Sequence, residues 1–318
     1  MPDAIDARGR GPQFDCAHRG QAGRLNEEPT EEGLRRLAQA EGIDAATAAL
    51  YAYLRNASRH RGFIDAVERG EVPALRGDPP RVIVMPGAFH VEYPQTGGDG
   101  QRVLELAGEL GWPAERVGVP SLAPMAQNAA ALVEALAREA GRPAIVVSLS
   151  KGGADGRAAI ERPGAAQELR DVRTWVSLSG MAMGTPLVAW LRARPLRCWG
   201  VRALLRWRGQ RFGVVEELRR GGAALAAPFA LPPGMRAIHV LGFPRVADLS
   251  DAWARRGHAR LAELGPNDGG GIILADALRW PGDVYPVWGA DHYLRRADAR
   301  EMLRRVLRDA GRACAITG

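Results

Sequence analysis

Short apolar runs alternate with amphipathic stretches through most of the chain. Apolar runs of strand length lie at residues 81–87, 114–120, 144–150, 172–180, 237–244 and 283–289. Helical spacing of apolar residues lies between them at 101–111 and 126–141, and it closes the chain at about 295–310. Strands that alternate with helices of this length predict an α/β fold, with a mainly parallel central sheet flanked by helices on both faces.

Two regions depart from this alternation. Residues 28–70 have helical periodicity, with Thr30 expected to cap a first helix and Asp44 a second. Residues 1–24 are polar and are predicted to be mobile. The second region, 181–234, interrupts the strand pattern and predicts a helical cap or lid. The predicted domains are therefore an N-terminal mobile segment and helical extension at 1–78, then an α/β domain at 79–318 that carries a cap insertion at 181–234.

Composition predicts a globular protein, with 46% hydrophobic and 25% charged residues in 318. The net charge of +7 equals that of the cap insertion, which has nine arginines and two acids, so the rest is close to neutral. The three cysteines lack metal-site spacing and predict no disulfide framework. The N-terminus shows no secretory pattern and no apolar run reaches about 18 residues, so a cytoplasmic protein is expected.

One strand runs directly into a turn of small residues, at Ser148-Leu149-Ser150-Lys151-Gly152. A serine on a sharp strand-to-helix turn projects its hydroxyl above the sheet edge, as in the pattern G-x-S-x-G. The glycine two places later selects Ser150 over Ser148 as the nucleophile. The plainer alternative is a serine that only begins a helix. Lys151, the chain's single lysine, is expected to offer its backbone N–H, with no role assigned to its side chain.

A serine nucleophile needs a base, and the base needs an orienting carboxylate. His292 follows the last strand directly and is the expected base among six histidines. His239 reads as a core residue, and His258 as a surface residue of a helix. Asp268, in a glycine-rich loop between the serine and His292, is the expected acid, because the order Ser–Asp–His suits this type of fold. Its competitors are Asp248, which is the strongest of them, Asp251, Asp276 and Asp291.

The oxyanion that develops during acyl transfer needs two N–H donors. Lys151 is expected to supply one of them. Because Gly87 lets the backbone come close, the second donor is expected to be Ala88 or Phe89 in the loop after the first strand.

The segments VIVMPGAFH, VSLSKGG, VSLSGMAMGTPL, GPNDGG and VWGADHYL resemble the α/β-hydrolase superfamily, especially its bacterial lipase and esterase branches. The resemblance covers roughly residues 81–310. It implies the α/β-hydrolase fold and a Ser–His–Asp acyl mechanism that uses no cofactor and no metal. The chain departs from the pattern at Ser148, where a glycine is usual, and lacks a His-Gly pair after the first strand.

The cap insertion has two interpretations: a structural cap, or a cover over the acyl site whose arginines hold an anionic group or a lipid surface. A phosphate, a carboxylate or a coenzyme A tail would suit it, and so would a membrane surface, whereas nucleic acid is not expected. The expected function is a serine hydrolase of a carboxylic ester-like bond. Its expected substrate is a small acyl molecule, for which an anionic or a lipid-like group is one option. One alternative is an acyltransferase or thioesterase acting on an acidic or carrier-linked substrate. Another is a non-catalytic binding protein.

Overall fold

The computed structural model describes residues 28–70, 78–226 and 228–315, and within them the chain builds one six-stranded sheet. Every strand pair is parallel, and the spatial order is β2-β1-β3-β4-β5-β6. The strands are β1 (Arg81–Met85), β2 (Ala114–Arg116), β3 (Ala144–Leu149), β4 (Val172–Leu178), β5 (Arg236–Phe243) and β6 (Asp283–Trp288). The predicted parallel sheet is confirmed. The predicted mobile segment, 1–24, lies outside the described residues.

Helices cover both faces of this sheet. They are α1 (Glu31–Glu41), α2 (Ile43–Asn56), α3 (Ser58–Arg69), α4 (Gln101–Glu109), α5 (Met125–Ala137), α6 (Lys151–Ile160), α7 (Ala165–Glu168), α8 (Leu187–Arg192), α9 (Pro195–Trp207), α10 (Gly213–Glu216), α11 (Ala252–Leu261) and α12 (Ala299–Ala315). Short 3₁₀ turns lie at 94–96, 246–248, 262–264 and 274–279.

Alternate residues of the strands enter two separate hydrophobic clusters. On β1, Val82 and Val84 pack with residues of α3, α4 and α12, whereas Ile83 and Met85 pack with residues of α1, α2 and α5. This alternation follows from the two-residue period of a strand, which sends successive side chains to opposite faces. The sheet is therefore buried on both sides, and its strands are accordingly rich in apolar residues.

The N-terminal helices pack on the body of the protein. Thr30 caps α1 as predicted, accepting a hydrogen bond from the Gly33 N–H at 3.0 Å. Asp44 does not cap α2, because Gly42 holds the N-cap position. The Asp44 carboxylate instead accepts a hydrogen bond from the Val246 N–H at 2.9 Å, which joins α2 to the loop after β5.

Element ends differ from the predicted ones where the chain leaves the sheet or a helix starts late. The second strand stops at Arg116, although the apolar pattern continues to residue 120. The N–H of Val117 still donates to Val84, after which the chain turns towards α5. The last helix begins at Ala299, four residues later than predicted, and the turn before it contains Leu294 in a left-handed backbone conformation with φ of 49°.

The cap insertion contains α8, α9 and α10 and lies between β4 and β5. Its inward side chains, Leu205 and Val214, pack with Leu122 of the body. Among the described residues, no helix has the length and apolar character needed to cross a membrane.

Candidate active site

Ser150 occupies the sharp turn between β3 and α6. Its backbone has φ of 49° and ψ of −117°, a conformation that a residue with a side chain rarely adopts. Three hydrogen bonds hold the turn: the Ser150 N–H donates to Leu178 at 3.2 Å, and its carbonyl accepts from Gly153 at 2.9 Å and Met181 at 2.8 Å. The strained serine is thus fixed by its neighbours at the carboxyl end of the sheet.

The two glycines after Ser150 are required by close backbone contacts. A Cβ on Gly152 would lie 2.5 Å from the carbonyl oxygen of Met85, and one on Gly153 would lie 2.6 Å from the Cα of Gly180. Both distances are well inside van der Waals contact, so a side chain at either position would push α6 away from β1 or β4. The small-residue pattern therefore reflects how tightly the helix packs on the strands.

Ser148 has a structural role. It is buried, and its hydroxyl accepts a hydrogen bond from the Trp175 indole N–H at 2.8 Å. Ser148 lies inside β3 with its side chain in the core, whereas Ser150 lies beyond the end of the strand in a turn with positive φ, which redirects its side chain.

His292 follows β6 and lies beside Ser150. Its Nε2 is 3.0 Å from the Ser150 hydroxyl oxygen, and its Nδ1 is 2.6 Å from Oδ2 of Asp268. The two loops are also joined through the backbone, where the His292 N–H donates to the Asp268 carbonyl at 2.8 Å. Gly270 leaves room for the imidazole, since a Cβ there would lie 2.0 Å from the His292 Cγ.

Asp268 is completely buried and is held by its own loop. Its Oδ1 accepts hydrogen bonds from the backbone N–H groups of Gly270 at 2.9 Å, Gly271 at 3.0 Å and Ile272 at 2.9 Å. These bonds leave Oδ2 to face His292. The structure thus brings together the three residues that the sequence placed in order along the chain.

The pKa values of the pair shift in opposite directions. Burial by itself would raise the pKa of Asp268, but the His292 imidazole and the backbone N–H donors hold it below its ordinary value. Burial by itself would lower the pKa of His292, but the Asp268 carboxylate, helped by Asp291, holds it above its ordinary value. Both shifts favour an ionised carboxylate beside an imidazole that accepts a proton readily.

The competing carboxylates have other partners. Asp248 forms an ion pair with Arg245 at 2.8 Å, and Asp251 caps α11 through the Trp253 and Ala254 N–H groups. The Asp276 carboxylate accepts from Arg220 and Arg279, and the Asp291 carboxylate accepts from the Ser250 and Tyr293 N–H groups.

For two other histidines we compare the predicted burial with the observed burial, and the prediction is right for one and wrong for the other. His239 is in the core, as expected, with Nε2 2.9 Å from the Pro281 carbonyl oxygen. His258 was expected on a surface but is buried. The reason is the close approach of α11 to the acid loop, where a Cβ on Gly257 would lie 2.0 Å from the Gly269 carbonyl oxygen.

Two backbone N–H groups remain as candidates for an oxyanion pocket. Lys151 is the first residue of α6, so its N–H has no acceptor one turn earlier in the helix. In the loop after β1, the Phe89 N–H donates to the Ser121 carbonyl at 3.3 Å. That bond occupies Phe89, which leaves Ala88 as the better of the two predicted donors. A Cβ on Gly87 would lie 3.2 Å from the Ser150 Cβ, so the loop passes directly beside the serine.

The Lys151 side chain has a definite partner that the sequence interpretation missed. It is buried, and its Nζ donates to Asp155 Oδ1 at 2.6 Å. The other oxygen of Asp155 accepts from the Asn128 amide of α5 at 2.8 Å. The lysine and the aspartate are four residues apart on α6, and this spacing was the available signal.

The cap insertion covers the loop that carries Ala88 and Phe89. Both residues pack against an apolar cluster that contains Leu205 of α9 and Val214 of α10. The candidate site is therefore bordered by the sheet edge on one side and by the cap helices on the other.

Comparison with known proteins gives structural likenesses only. No family model and no curated protein matches the sequence. Among solved structures, the chain is similar to the metagenomic carboxyl esterase MGS0156, with 20% identity, 74% of this chain and 77% of that chain covered, and a TM-score of 0.56. It is also similar to the Bacillus licheniformis lipase BlEst2 in its propeptide form, with 20% identity, 70% of this chain covered and a TM-score of 0.50. The chain matches 48% of that lipase's length. The predicted α/β-hydrolase fold is confirmed.

Proposed function

We propose that this chain, which has the α/β-hydrolase fold, is a serine hydrolase that cleaves a carboxylic ester-like bond. What supports the proposal most is the unbroken relay from the Ser150 hydroxyl through His292 to Asp268, with distances of 3.0 and 2.6 Å. A hydroxyl, an imidazole and a buried carboxylate in this order can activate an oxygen nucleophile near neutral pH. The structural likeness to an esterase and a lipase agrees with this chemistry.

In the proposed reaction, the Ser150 oxygen attacks the substrate carbonyl carbon while His292 Nε2 takes the hydroxyl proton. The carbonyl oxygen becomes an oxyanion and receives hydrogen bonds from the backbone N–H groups of Lys151 and Ala88. The imidazolium then gives its proton to the leaving oxygen, and the bond from carbon to that oxygen breaks. An acyl-enzyme on Ser150 remains.

Water completes the cycle. His292 takes a proton from a water molecule that attacks the acyl carbon, and the Ser150 oxygen leaves with the proton that His292 returns. Asp268 stays ionised throughout. It holds the Nδ1–H of His292 in the tautomer that keeps Nε2 free to accept a proton, and it stabilises the imidazolium when that forms.

The test is a panel of p-nitrophenyl esters of increasing acyl chain length, together with acyl thioesters, assayed with the wild type and Ser150→Ala. We expect kcat to fall by about 10³-fold or more in the variant, because the nucleophile is lost. The matched control is Ser148→Ala, which should keep its activity and lose about 1 kcal/mol of stability with the Trp175 hydrogen bond.

A fluorophosphonate probe tests the nucleophile directly. It should attach to Ser150 in the wild type and in Ser148→Ala, as located by peptide mass spectrometry. Full activity in a folded Ser150→Ala chain would contradict the proposal, and failure of the probe to label an active wild type would contradict the role given to Ser150. If added alcohols, amines or thiols capture the acyl group in place of water, the enzyme is an acyltransferase that uses the same residues.

A further inference from the structure

Helix α9 has two apolar faces on opposite sides. Its inner face, formed by Cys198, Val201 and Leu205, packs towards the body and the loop of the candidate site. Its outer side carries large apolar side chains in the open: Leu196 is 89% exposed, Trp199 72%, Leu204 47% and Trp207 80%.

Helix geometry gathers three of these side chains, together with Ala203, into one stripe, and Leu204 lies to one side of it. At about 100° per residue, Leu196, Trp199, Ala203 and Trp207 fall within an arc of roughly 80° around the helix. We call these four residues the outer face of α9. It lies opposite the buried face, so the body of the protein does not cover it. Contiguous exposed apolar surface of this kind marks an interaction site more often than chance.

Arginines border the outer face on both sides. On the same helical projection, Arg202 and Arg206 lie along one border, and Arg197 and Arg208 lie along the other. No acidic residue occurs in the sequence from 181 to 215. Within the part of the chain that the structure describes, the cap arginines in ion pairs are Arg192 and Arg220, and none of these four has an acidic partner. Arg197 stacks on the Trp190 ring and Arg202 on the Phe212 ring. The face is apolar at its centre and cationic at both borders.

We infer that the outer face of α9 docks on the surface of a membrane that contains anionic lipid. Tryptophan side chains favour the headgroup region, where the ring meets the acyl chains and the indole N–H meets polar groups. Arginines at the borders can donate hydrogen bonds to lipid phosphates. An amphipathic helix with these two features lies in the plane of the interface.

Charge argues against the other occupants of this face. A second copy packed face to face would bring arginines without acidic partners against one another, which costs Coulomb energy. A nucleic-acid duplex would use the arginines, but it would gain nothing from the exposed Leu196, and its bases are already stacked and do not reach Trp199 and Trp207. An anionic bilayer satisfies both parts of the surface.

The proposed docking does not depend on the proposed hydrolase activity. Its position is nonetheless relevant, because the inner face of α9 packs beside Ala88 and Phe89. A membrane bound at the outer face would therefore lie one helix away from the candidate site.

The experiment measures flotation of the full chain with vesicles of phosphatidylcholine alone or with 30% phosphatidylglycerol. We expect binding to the anionic vesicles that weakens as salt rises from 0.1 to 0.5 M. Trp199→Ala with Trp207→Ala should lower the partition coefficient at least about tenfold. The matched control is Trp253→Ala on α11, which is 65% exposed outside the cap insertion and should leave binding unchanged.

A second pair of variants tests the charged borders. Arg206→Gln with Arg208→Gln should lower binding to anionic vesicles roughly tenfold or more. Arg36→Gln with Arg61→Gln removes the same charge from α1 and α3 and should change binding less than threefold, because neither arginine lies on α9 and each is close to an acid of its own helix. Ser150→Ala should bind like the wild type, so loss of activity and loss of docking are separate results.

Three outcomes would overturn the inference. The first is absence of wild-type binding to anionic vesicles, and the second is equal binding to neutral and anionic vesicles. The third is a wild-type dimer in sedimentation that the tryptophan pair of variants converts to monomer, which would assign the outer face to a second copy. An unchanged thermal midpoint in each variant shows that the fold is intact.

Discussion

At the residue scale, the two oxygens of the Asp268 carboxylate have different hydrogen-bond partners. Oδ1 accepts hydrogen bonds from three backbone N–H groups, while Oδ2 lies 2.6 Å from Nδ1 of the His292 imidazole. The loop therefore orients the carboxylate first, and the carboxylate then orients the imidazole. This chain of contacts explains why the glycines after Asp268 belong to the site although their side chains carry no chemistry.

Replacing Asp268 by asparagine tests this division. Asn can keep the three backbone hydrogen bonds through its amide oxygen, but its NH₂ group then faces Nδ1 and favours the wrong imidazole tautomer. We expect kcat of Asp268→Asn to fall by about 10⁴-fold on the best ester of the panel. The thermal midpoint should change little in comparison.

The matched control is Asp248→Asn. Asp248 was the strongest rival in the sequence, but its carboxylate is paired with Arg245. That substitution should leave kcat within about threefold of the wild type, because the Asp248 carboxylate accepts its hydrogen bonds from Arg245 rather than from His292. A larger loss of kcat in Asp248→Asn than in Asp268→Asn would transfer the acid role to Asp248.

At the element scale, a buried ion pair and a hydrogen bond to α5 hold helix α6 in place. The Lys151–Asp155 ion pair is buried on α6, and Asn128 on α5 donates to the same aspartate. Burial raises the pKa of Asp155 even though Lys151 and Asn128 act in the opposite direction. The first turn of α6, which carries the candidate oxyanion N–H, is thereby tied to its neighbouring helix.

Removing one partner of this pair should be costly. Lys151→Met leaves the Asp155 charge buried without its cation, and we expect the free energy of unfolding to fall by about 3 kcal/mol at pH 8. This loss of stability should be smaller at pH 5, because the buried Asp155 carboxylate can then bind a proton and become neutral. Urea unfolding at the two pH values measures both effects.

A double variant distinguishes the charge from the packing. Lys151→Met with Asp155→Asn removes both charges and keeps an acceptor for Asn128, so it should recover at least half of the lost stability. If the double variant is as unstable as Lys151→Met, the ion pair is not what holds α6, and the shape of the lysine side chain is.

The strands and helices could be predicted from the sequence because each depends on a local pattern of apolar and polar residues. Apolar runs bounded by turn residues predicted all six strands, and the helical period predicted the helices that flank them. The ends were less accurate. Apolar residues 117–120 continue the pattern of β2, yet there the chain leaves the sheet for a separate buried position, and only the tertiary structure decides where that happens.

At the scale of the whole molecule, the sequence predicted the identity and chain order of the three candidate site residues. It did not predict which side chains near the site are buried. The positions of Ser150, Asp268 and His292 after separate strands or in a glycine-rich loop brought them to one sheet edge. The burial of His258 and of the Lys151 side chain depends on which elements pack against them. For Lys151 the spacing of four residues from Asp155 was a local signal, but Asn128, which completes that contact, lies on another helix. For His258 there was no local signal, because the acid loop approaches α11 only in the folded chain.

Buried histidines give the molecule a dependence on pH that is separate from its chemistry. Burial, with the neighbouring Arg59, lowers the pKa of His60 from 6.5 to about 4. Burial also lowers the pKa of His239 from 6.5 to about 4, and it lowers the pKa of His258. The raised pKa values of His292 and Asp155 act in the opposite direction. The lowered pKa values of Asp248, Asp251 and Asp268 act in the same direction as the three histidines.

The sign follows from proton uptake. Between pH 6.5 and about 4, the unfolded chain binds protons at His60 and His239 that the folded chain does not, and the lowered pKa of His258 acts in the same direction. These three groups therefore make the free energy of unfolding fall as pH falls. Each such group contributes up to about 1.4 kcal/mol per pH unit. We expect the urea midpoint to decrease steadily from pH 7 to pH 4.5.

The variant His239→Phe isolates one of these groups. It removes the titrating ring but keeps an aromatic side chain between Trp175 and Trp280, which lie 5.5 and 4.7 Å from the imidazole. Its stability at pH 7 should be lower than that of the wild type, because the contact with the Pro281 carbonyl is lost. Its loss of stability between pH 6 and pH 4.5 should nevertheless be smaller, by up to about 1.4 kcal/mol per pH unit. Parallel curves for the two proteins would mean that His239 is protonated in the fold as readily as in the unfolded chain, and that the acid sensitivity comes from elsewhere.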